Sequence, residues 1–265
     1  MNRAERSKIL TGMIAAAAEA GTKVREMAAS GVVTRSKPDA SPVTDADEAA
    51  EAIIERHLNT LLPGVPMIGE EAVANGSRTK PGSTFFLVDP IDGTRDYIAK
   101  RDGYTVNIAL LIEGTPVLGV IYAPAMGELF AGGADGAYRW PLVPGINVEN
   151  VPEEKIRVRT PPKNLVACVS FSHLDSDTTA WMKKRNIAET IKVGSSIKFC
   201  RVAEGKADVY PRLAPVSEWD IAAGHAILMA AGGSVRAPDG TPLHYGKKKD
   251  DYEVTSFIAS GGMAF

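Results

Sequence analysis

The motif DPIDGTRDY occupies residues 89–97 and directly follows the apolar run FFLV. Such a run predicts a buried strand that ends at Asp89. Because Pro90 lacks the N–H group that a strand ladder needs, the chain turns there, and Asp92 emerges at the same rim of the sheet as Asp89. Two carboxylates this close repel each other unless a cation lies between them. The motif therefore indicates a cation site at the end of a strand.

The other groups of this turn favour Mg²⁺ and a phosphate. The carbonyl oxygen of Ile91 is expected to point into the same space as the carboxylates, and Mg²⁺ binds such oxygens together with water and phosphate oxygens. Gly93 allows close approach of the backbone, Thr94 supplies a hydroxyl, and the N–H groups that follow can hold a phosphate. Taken alone, Asp-Pro and Asp-Gly pairs are ordinary turn chemistry.

Further carboxylates occur in matching contexts along the chain. Glu70 and Glu71 follow the apolar pair MI, Asp47 lies in SPVTDAD before an alanine-rich helix, and Asp220 lies in SEWDIAAGHA before another. Each has a plain alternative, because a GEE sequence is commonly a solvated turn and Asp at a helix start is a common cap. The combination, more than any one member, indicates a metal site.

Composition limits the function classes. The chain has 265 residues, of which 45% are hydrophobic, so it can bury a substantial core. A formal net charge of −2 gives no general attraction to nucleic acid or to a membrane surface. The cysteines are Cys168 and Cys200, without a CxxC pair, which is typical of a reducing compartment. With no signal peptide and no long apolar run, the sequence predicts a soluble cytoplasmic protein without an integral membrane segment.

Periodicity predicts an α+β half followed by an α/β half. Helices are expected over the first 30 residues and over 45–62, then antiparallel strands in TFFLVD, YTVNIALLIE, TPVLGVIYAP and ELFAGG. After a Pro- and charge-rich stretch at 141–155, strands in LVACVSFS, TIKVGS and ADVYPRL alternate with helices near 176–186, 195–205 and 219–231. We expect residues 1–150 to carry most metal-binding motifs and residues 151–265 to carry the last one, in one compact unit.

The motifs GEE, DPIDGT and WDIAAGHA, with SPVTDAD before them, resemble the inositol monophosphatase-like superfamily of lithium-sensitive phosphatases over nearly the whole chain. The resemblance implies a layered αβαβα sandwich, two or three Mg²⁺ ions and inhibition by Li⁺. It implies that Asp47 and Thr94 orient the attacking water and that Glu71 lies beside the metal ligands. The implied ligands are Glu70, Asp89, the Ile91 carbonyl, Asp92 and Asp220.

Within that superfamily, SFSHLD and VGSSIKFCRVAEGKADVYPR resemble the 3′(2′),5′-bisphosphate nucleotidases of sulfate assimilation. This resemblance implies removal of the 3′-phosphate of adenosine 3′,5′-bisphosphate, to give AMP and phosphate, with 3′-phosphoadenylyl sulfate as a further candidate substrate. We expect a monomer or a homodimer. The resemblance places His173 at the adenine, and Ser195, Lys198 and Arg212 at the ribose or the 5′-phosphate. Physically, a dianionic phosphate needs such cations and donors.

Other functions compete with this interpretation. An inositol monophosphatase or a fructose-1,6-bisphosphatase would have the same metal site and a different pocket. A catalytically inactive anion-binding regulatory protein on this fold would be expected to have lost a ligand or the Thr94/Asp47 pair. A haloacid-dehalogenase phosphatase is excluded, because its nucleophilic aspartate would have to occupy the position of Pro90.

Overall fold

The computed structural model describes residues 1–31, 33–37, 41–77, 79–171, 174–247 and 251–262. Its helices are α1 (Arg3–Ser30), α2 (Asp45–Leu61), α3 (Glu70–Ala74), α4 (Thr94–Ile98), α5 (Ser176–Lys184), α6 (Ile197–Ala203) and α7 (Glu218–Ala230), with a 3₁₀ helix at Val148–Asn150. The helices predicted from periodicity are therefore confirmed to within a few residues. Over the described residues, none of them has both the length and the apolar character needed to cross a membrane.

A seven-stranded sheet forms the first half of the molecule, in the order β3-β4-β5-β6-β7-β8-β9. Its strands are β3 (Met67–Gly69), β4 (Thr84–Asp92), β5 (Thr105–Ile112), β6 (Thr115–Ala123), β7 (Glu128–Gly133), β8 (Gly136–Trp140) and β9 (Glu154–Ile156). The predicted antiparallel pairing of β4, β5, β6 and β7 is confirmed, and the edge strand β3, which was not predicted, runs parallel to β4. Because α3 lies between these two strands, their connection is a crossover and not a hairpin.

A five-stranded sheet forms the second half, in the order β11-β10-β12-β16-β14. Its strands are β10 (Val166–Val169), β11 (Glu189–Lys192), β12 (Val209–Arg212), β14 (Ser234–Arg236) and β16 (Phe257–Ser260). Two small antiparallel pairs complete the strands, β1 (Thr34–Ser36) with β2 (Pro42–Thr44) and β13 (Val216–Ser217) with β15 (Glu253–Val254). Strand β9 belongs to the larger sheet although it lies beyond residue 150, and the division at that residue stays a prediction.

Successive side chains along each strand of the larger sheet point to opposite faces, so each face packs in a hydrophobic core of its own. Phe86 of β4 packs with α1 and α2 on one face, whereas Phe85 packs on the other face with α6, α7 and the smaller sheet. The far face of the smaller sheet packs against α5 through Trp181. The order of layers is helices, sheet, helices, sheet, helix. The predicted αβαβα sandwich is therefore confirmed.

Helix α7 lies unusually close to the larger sheet, because two paired glycines leave room for its backbone. Gly119 of β6 pairs with Gly132 of β7. A Cβ atom at Gly119 would lie 2.2 Å from the carbonyl oxygen of Ala223, and one at Gly132 would lie 2.6 Å from the Cα of Ile227. Any side chain at either position would push α7 away from the sheet.

Candidate active site

A cavity of about 860 Å³ opens where the end of β4 meets the beginnings of α4, α6 and α7. The predicted site residues on its wall are Glu70, Asp89, Ile91, Asp92, Gly93, Thr94, Ser195, Lys198, Arg212 and Asp220. Asp47 contacts Thr94, and Glu71 contacts Lys37. His173 lies outside the described residues. The structure thus gathers residues from distant parts of the chain into one site.

Strand β4 continues through Pro90 to Asp92, so the prediction that it ends at Asp89 is wrong; an irregularity in the pairing with β5 accommodates the proline, which sheets tolerate at bulges. This irregularity lies between Asp89 and Asp92, and the N–H of Ile91 donates to Oδ1 of Asp89 at 3.0 Å. Gly93 follows with φ of 92°, in the left-handed region. A Cβ atom at Gly93 would lie 2.4 Å from Oγ of Ser195. Only glycine therefore allows this backbone conformation and this close approach together.

Asp47 caps its own helix and also contacts Thr94. Its Oδ2 accepts hydrogen bonds from the N–H and the hydroxyl of Thr44, at 2.8 and 2.6 Å. Its Oδ1 faces the Thr94 hydroxyl at 3.3 Å, and that hydroxyl also lies 3.1 Å from the carbonyl oxygen of Ile91. Burial raises the pKa of Asp47 to about 6, although the bonds from Thr44 oppose the shift. The capping role and the predicted role beside Thr94 are therefore compatible.

The carboxylates on the cavity wall repel one another. Burial raises the pKa of Asp89 well above its usual value, and the charges of Glu70, Asp92 and Asp220 raise it further. Burial likewise raises the pKa of Asp220, with a further contribution from Asp92. Burial raises the pKa of Asp92 to about 6, although Lys198 and the N–H of Ser196 oppose the shift. A cation would relieve this repulsion and keep the carboxylates ionised.

The donor set has the chemistry that Mg²⁺ prefers, because every group is a hard oxygen ligand. Within the described residues, no three acidic, histidine or cysteine side chains stand close enough together to surround one ion. The side chain of Glu70 is turned toward Lys37, whose Nζ lies 2.6 Å from its Oε1. The types of residue present therefore suit a divalent cation. The carboxylate of Glu70 is paired with the ammonium group of Lys37.

Lys37 was not identified from the sequence. Its largely buried ammonium group also lies 2.8 Å from Oε1 of Glu71. Burial opposes the charged form of Lys37, but the two neighbouring carboxylates outweigh that effect and raise its pKa. Burial raises the pKa of Glu71 to about 7. No sequence pattern links Lys37 to residues more than 30 positions away, so only the tertiary structure reveals this contact.

Glu51 is a second residue that sequence reasoning missed. Its carboxylate accepts hydrogen bonds from the N–H groups of Glu71 and Ala72, at 2.9 and 2.8 Å. It thereby satisfies the free N–H groups at the start of α3 and fixes the backbone that carries Glu70. The available signal was its position one helical turn after Asp47, which places both carboxylates on the same face of α2.

Residues from the second half of the chain form the opposite wall. The Ser195 hydroxyl lies 2.8 Å from the carbonyl oxygen of Asp92 and 2.6 Å from that of Gly103. Nζ of Lys198 donates to the carbonyl oxygen of Ser195 at 2.5 Å and lies 5.0 Å from the ring centre of Tyr210. Burial lowers the pKa of Lys198 to about 8, although Asp92 opposes the shift. A lysine on a helix is ordinarily solvated, whereas Lys198 is buried.

Arg212 lies at the end of β12, on the same wall as Lys198. Its guanidinium donates to the carbonyl oxygens of Ala214 and Pro215, both at 3.3 Å. These bonds hold the guanidinium against the segment that leads into α7. The cavity therefore has a carboxylate-rich wall and a wall that presents two basic side chains.

Comparison with known proteins agrees with this arrangement. The model of the inositol monophosphatase family matches residues 5–263. The 3′(2′),5′-bisphosphate nucleotidase CysQ of Escherichia coli (strain K12) is 41% identical over 210 residues, which are 79% of this chain and 82% of that protein. The crystal structure of CysQ from Bacteroides thetaiotaomicron is 37% identical, with a TM-score of 0.80, and covers 96% of this chain and 97% of its own. An inositol monophosphatase structure from Anabaena (Nostoc) sp. PCC 7120 is 27% identical, with a TM-score of 0.73, covering 96% and 90%.

Proposed function

The chain belongs to the inositol monophosphatase family, and from that membership we propose that it is a Mg²⁺-dependent 3′(2′),5′-bisphosphate nucleotidase. It removes the 3′-phosphate of adenosine 3′,5′-bisphosphate to give AMP and phosphate, with 3′-phosphoadenylyl sulfate as a further substrate. The observation that carries the proposal is one cavity with an acidic wall and, facing it, Lys198 and Arg212. The higher identity to the nucleotidase CysQ than to the inositol monophosphatase structure supports the same substrate class.

The acidic wall suits phosphate release. Glu70, Asp89, Asp92, Asp220 and the Ile91 carbonyl would hold the metal ions. Bound Mg²⁺ neutralises phosphate charge and lowers the pKa of water at the site. A free phosphate monoester hydrolyses extremely slowly, so this charge neutralisation is needed at neutral pH. The backbone N–H groups after Gly93 add donors for the phosphate oxygens.

Thr94 and Asp47 orient the attacking water. When the Thr94 hydroxyl donates its proton to Oδ1 of Asp47, its lone pairs are free to accept a hydrogen bond from water. A pKa of about 6 leaves Asp47 mainly ionised above neutral pH, so that it can accept. The water then attacks phosphorus and gives a proton to the Thr94 hydroxyl as that hydroxyl passes its own proton to Asp47. The bond to the 3′-oxygen breaks, this oxygen takes a proton from solvent, and no enzyme residue becomes phosphorylated.

The basic wall selects the substrate. A nucleotide bisphosphate keeps a second phosphate after cleavage, and Lys198 and Arg212 offer it positive charge. With a pKa of about 8, Lys198 is mostly protonated at neutral pH and can bind a dianion. From the resemblance we propose that His173 binds the adenine and that Ser195, with Lys198 and Arg212, binds the ribose or the 5′-phosphate. We further propose two or three Mg²⁺ ions, inhibition by Li⁺, a cytoplasmic location and a monomer or homodimer.

The first experiment measures phosphate release with Mg²⁺ from adenosine 3′,5′-bisphosphate, inositol 1-phosphate and fructose 1,6-bisphosphate at equal concentration. We expect a preference of at least tenfold in kcat/KM for the nucleotide. A preference for either sugar phosphate would contradict the substrate class and leave the metal chemistry intact. No release from any substrate would favour an anion-binding regulatory protein.

Two variants test the acidic wall and the basic wall of the cavity separately. Asp89→Asn should abolish turnover on every substrate while the circular dichroism spectrum is unchanged. Lys198→Ala should raise KM for the nucleotide far more than KM for inositol 1-phosphate, because only the nucleotide carries the second phosphate. Equal effects on both substrates would place Lys198 outside the nucleotide subsite.

A further inference from the structure

A chain of buried polar side chains lies beside Asp92, where β5 meets the start of α6 at the cavity wall. Thr105, Asn107 and Ser196 are each at most 2% exposed. The Ser196 hydroxyl lies 2.7 Å from the Thr105 hydroxyl and 2.7 Å from Oδ1 of Asn107. Ser196 lies in the motif VGSSIKFCRV, but no role is assigned above to it, to Thr105 or to Asn107, and the proposed chemistry does not use them.

Hydrogen-bond direction in this chain follows from donor and acceptor capacity. Oδ1 of Asn107 can only accept, so the Ser196 hydroxyl must donate to it, and the Thr105 hydroxyl must then donate to Ser196. With its oxygen toward Ser196, the Asn107 amide has its Nδ2 on the other side. Reversal of the amide would aim its oxygen at the carboxylate of Asp92, which is unfavourable.

Nδ2 of Asn107 is buried without a close hydrogen-bond partner among the described residues. Asn107 pairs with Asp89, and Thr105 with Asp92, across the β4–β5 ladder, so the amide lies beside Asp92, outside hydrogen-bonding geometry but near enough to favour its ionised form. An unpaired buried donor costs about 1–3 kcal/mol. An apolar residue would avoid that cost, and Ala109, the next residue of β5 on the same face, is apolar and buried. If the side chain of Asn107 only filled space in the core, its amide would therefore make the folded state less stable than an apolar side chain would.

Ser196 links this amide to the carboxylate from a second direction. Its N–H donates to Oδ2 of Asp92 at 2.6 Å, while its hydroxyl is held by Asn107. The adjacent Ser195 hydroxyl contacts the main-chain carbonyl of Asp92. Main chain and side chain of Asp92 are thus both held by residues from a segment about a hundred positions away.

We propose that Asn107 is a positioning residue that, with Ser196, orients the carboxylate of Asp92 for metal binding. The inference rests on the proposed function, in which Asp92 is a metal ligand. Partners that hold a ligand in place typically contribute 10- to 100-fold to metal affinity. Loss of the amide should therefore weaken cation binding without removing any ligand.

The test measures Mn²⁺ binding by electron paramagnetic resonance on EDTA-stripped protein, which reports affinity without turnover. We expect Asn107→Leu, which keeps the side-chain size, to raise the Mn²⁺ Kd by about tenfold or more. Ile108→Val, on the same strand but packed on the opposite face, is the matched control and should bind Mn²⁺ as the wild type does. Thermal unfolding of both variants separates lost stability from lost affinity.

Ser196→Ala provides a second variant in case Asn107→Leu does not fold. It removes the hydroxyl that orients the amide and should also raise the Mn²⁺ Kd. In the double variant the effects should be less than additive, because both changes act through one carboxylate. At saturating Mg²⁺, the kcat of Asn107→Leu should approach that of the wild type.

A Mn²⁺ Kd within twofold of wild type in Asn107→Leu, or in Ser196→Ala when the first variant is unfolded, would overturn the proposal. A wild type that binds Mn²⁺ but prefers a sugar phosphate would refute the nucleotidase assignment and leave the role of Asn107 standing. The two failures are therefore distinguishable.

Discussion

Nζ of Lys37 lies 2.6 Å from Oε1 of Glu70, so an internal cation contacts a carboxylate that the motif assigns to metal binding. The same ammonium group reaches Glu71. A divalent cation that binds Glu70 must therefore displace the ammonium group of Lys37 or bind close to its positive charge. In either case, Lys37 should weaken divalent-cation binding.

Lys37→Met should strengthen divalent-cation binding, because it removes a positive charge beside Glu70. We expect the Mn²⁺ Kd to fall by about tenfold, the equivalent of about 1.4 kcal/mol. Isothermal titration on EDTA-stripped protein measures this. Lys206→Met is the control, since Lys206 is exposed and pairs with Glu204 outside the cavity. An unchanged or weaker affinity in Lys37→Met would show that Lys37 does not compete with the metal.

Thr94→Val should lower kcat by about a hundredfold or more and leave KM nearly unchanged, because it removes the hydroxyl between Asp47 and the water while keeping the shape of the side chain. Steady-state kinetics at saturating Mg²⁺ check this. Thr60→Val is the matched control, since its hydroxyl bonds only the carbonyl of Arg56 on an exposed helix face. If kcat stays within threefold of wild type, Thr94 takes no part in the reaction.

Gly93→Ala should destabilise the protein and lower activity, because the new Cβ would meet Ser195 in a left-handed backbone. Gly64→Ala is the matched control, since Gly64 has φ of 83° and no atom within 4 Å of its Cβ position. Strain alone should cost the control about 1 kcal/mol. The clash should cost Gly93→Ala a further 1–3 kcal/mol, roughly. Urea unfolding gives the free energy of unfolding of both variants. An equal decrease in the two would show that Ser195 moves away from the new Cβ atom at little cost.

Without metal, stability should fall as pH rises from about 4.5 to 7. Burial raises the pKa of Glu51 to about 7, so the folded state binds its proton more tightly than the unfolded chain does. A group with a raised folded pKa gives its full stabilisation below the unfolded pKa and loses it as pH rises through the folded value. Asp47, Glu71 and Asp92 act in the same direction.

Glu51→Gln should reduce this pH dependence, because the amide does not titrate. Urea unfolding in EDTA at pH 5 and pH 8 gives the difference, which should be smaller in the variant than in wild type. Glu26→Gln, at an exposed position of α1, should behave as wild type does. An identical pH dependence in Glu51→Gln would assign the effect to other groups.

Much of the fold and part of the site follow from sequence, because those features are local. The geometry between Asp89 and Asp92 depends on a proline inside β4 and a glycine directly after it, within a few residues of one another. Helices and long strands can be predicted because their apolar residues recur with a regular period. The parallel strand β3 cannot be predicted in this way, since its three residues are too few to show a period.

The remaining site residues depend on tertiary contacts. Lys37 and Asn107 have no motif around them, and their partners lie far away in sequence. Burial of Lys198 also contradicts the usual exposure of a helical lysine. Sequence reasoning finds the groups that a turn brings together, and it misses the groups that packing brings beside them.

The paired glycines Gly119 and Gly132 lie outside the cavity, yet they affect metal binding through the position of α7. Asp220 sits in the first turn of that helix, so the depth at which α7 rests on Gly119 and Gly132 sets how far Asp220 reaches toward Asp89. A substitution at either glycine would leave every motif intact and still separate the acidic residues. A relative of this protein can therefore retain all the signature residues and be inactive, and surveys that infer activity from signatures alone would misclassify it.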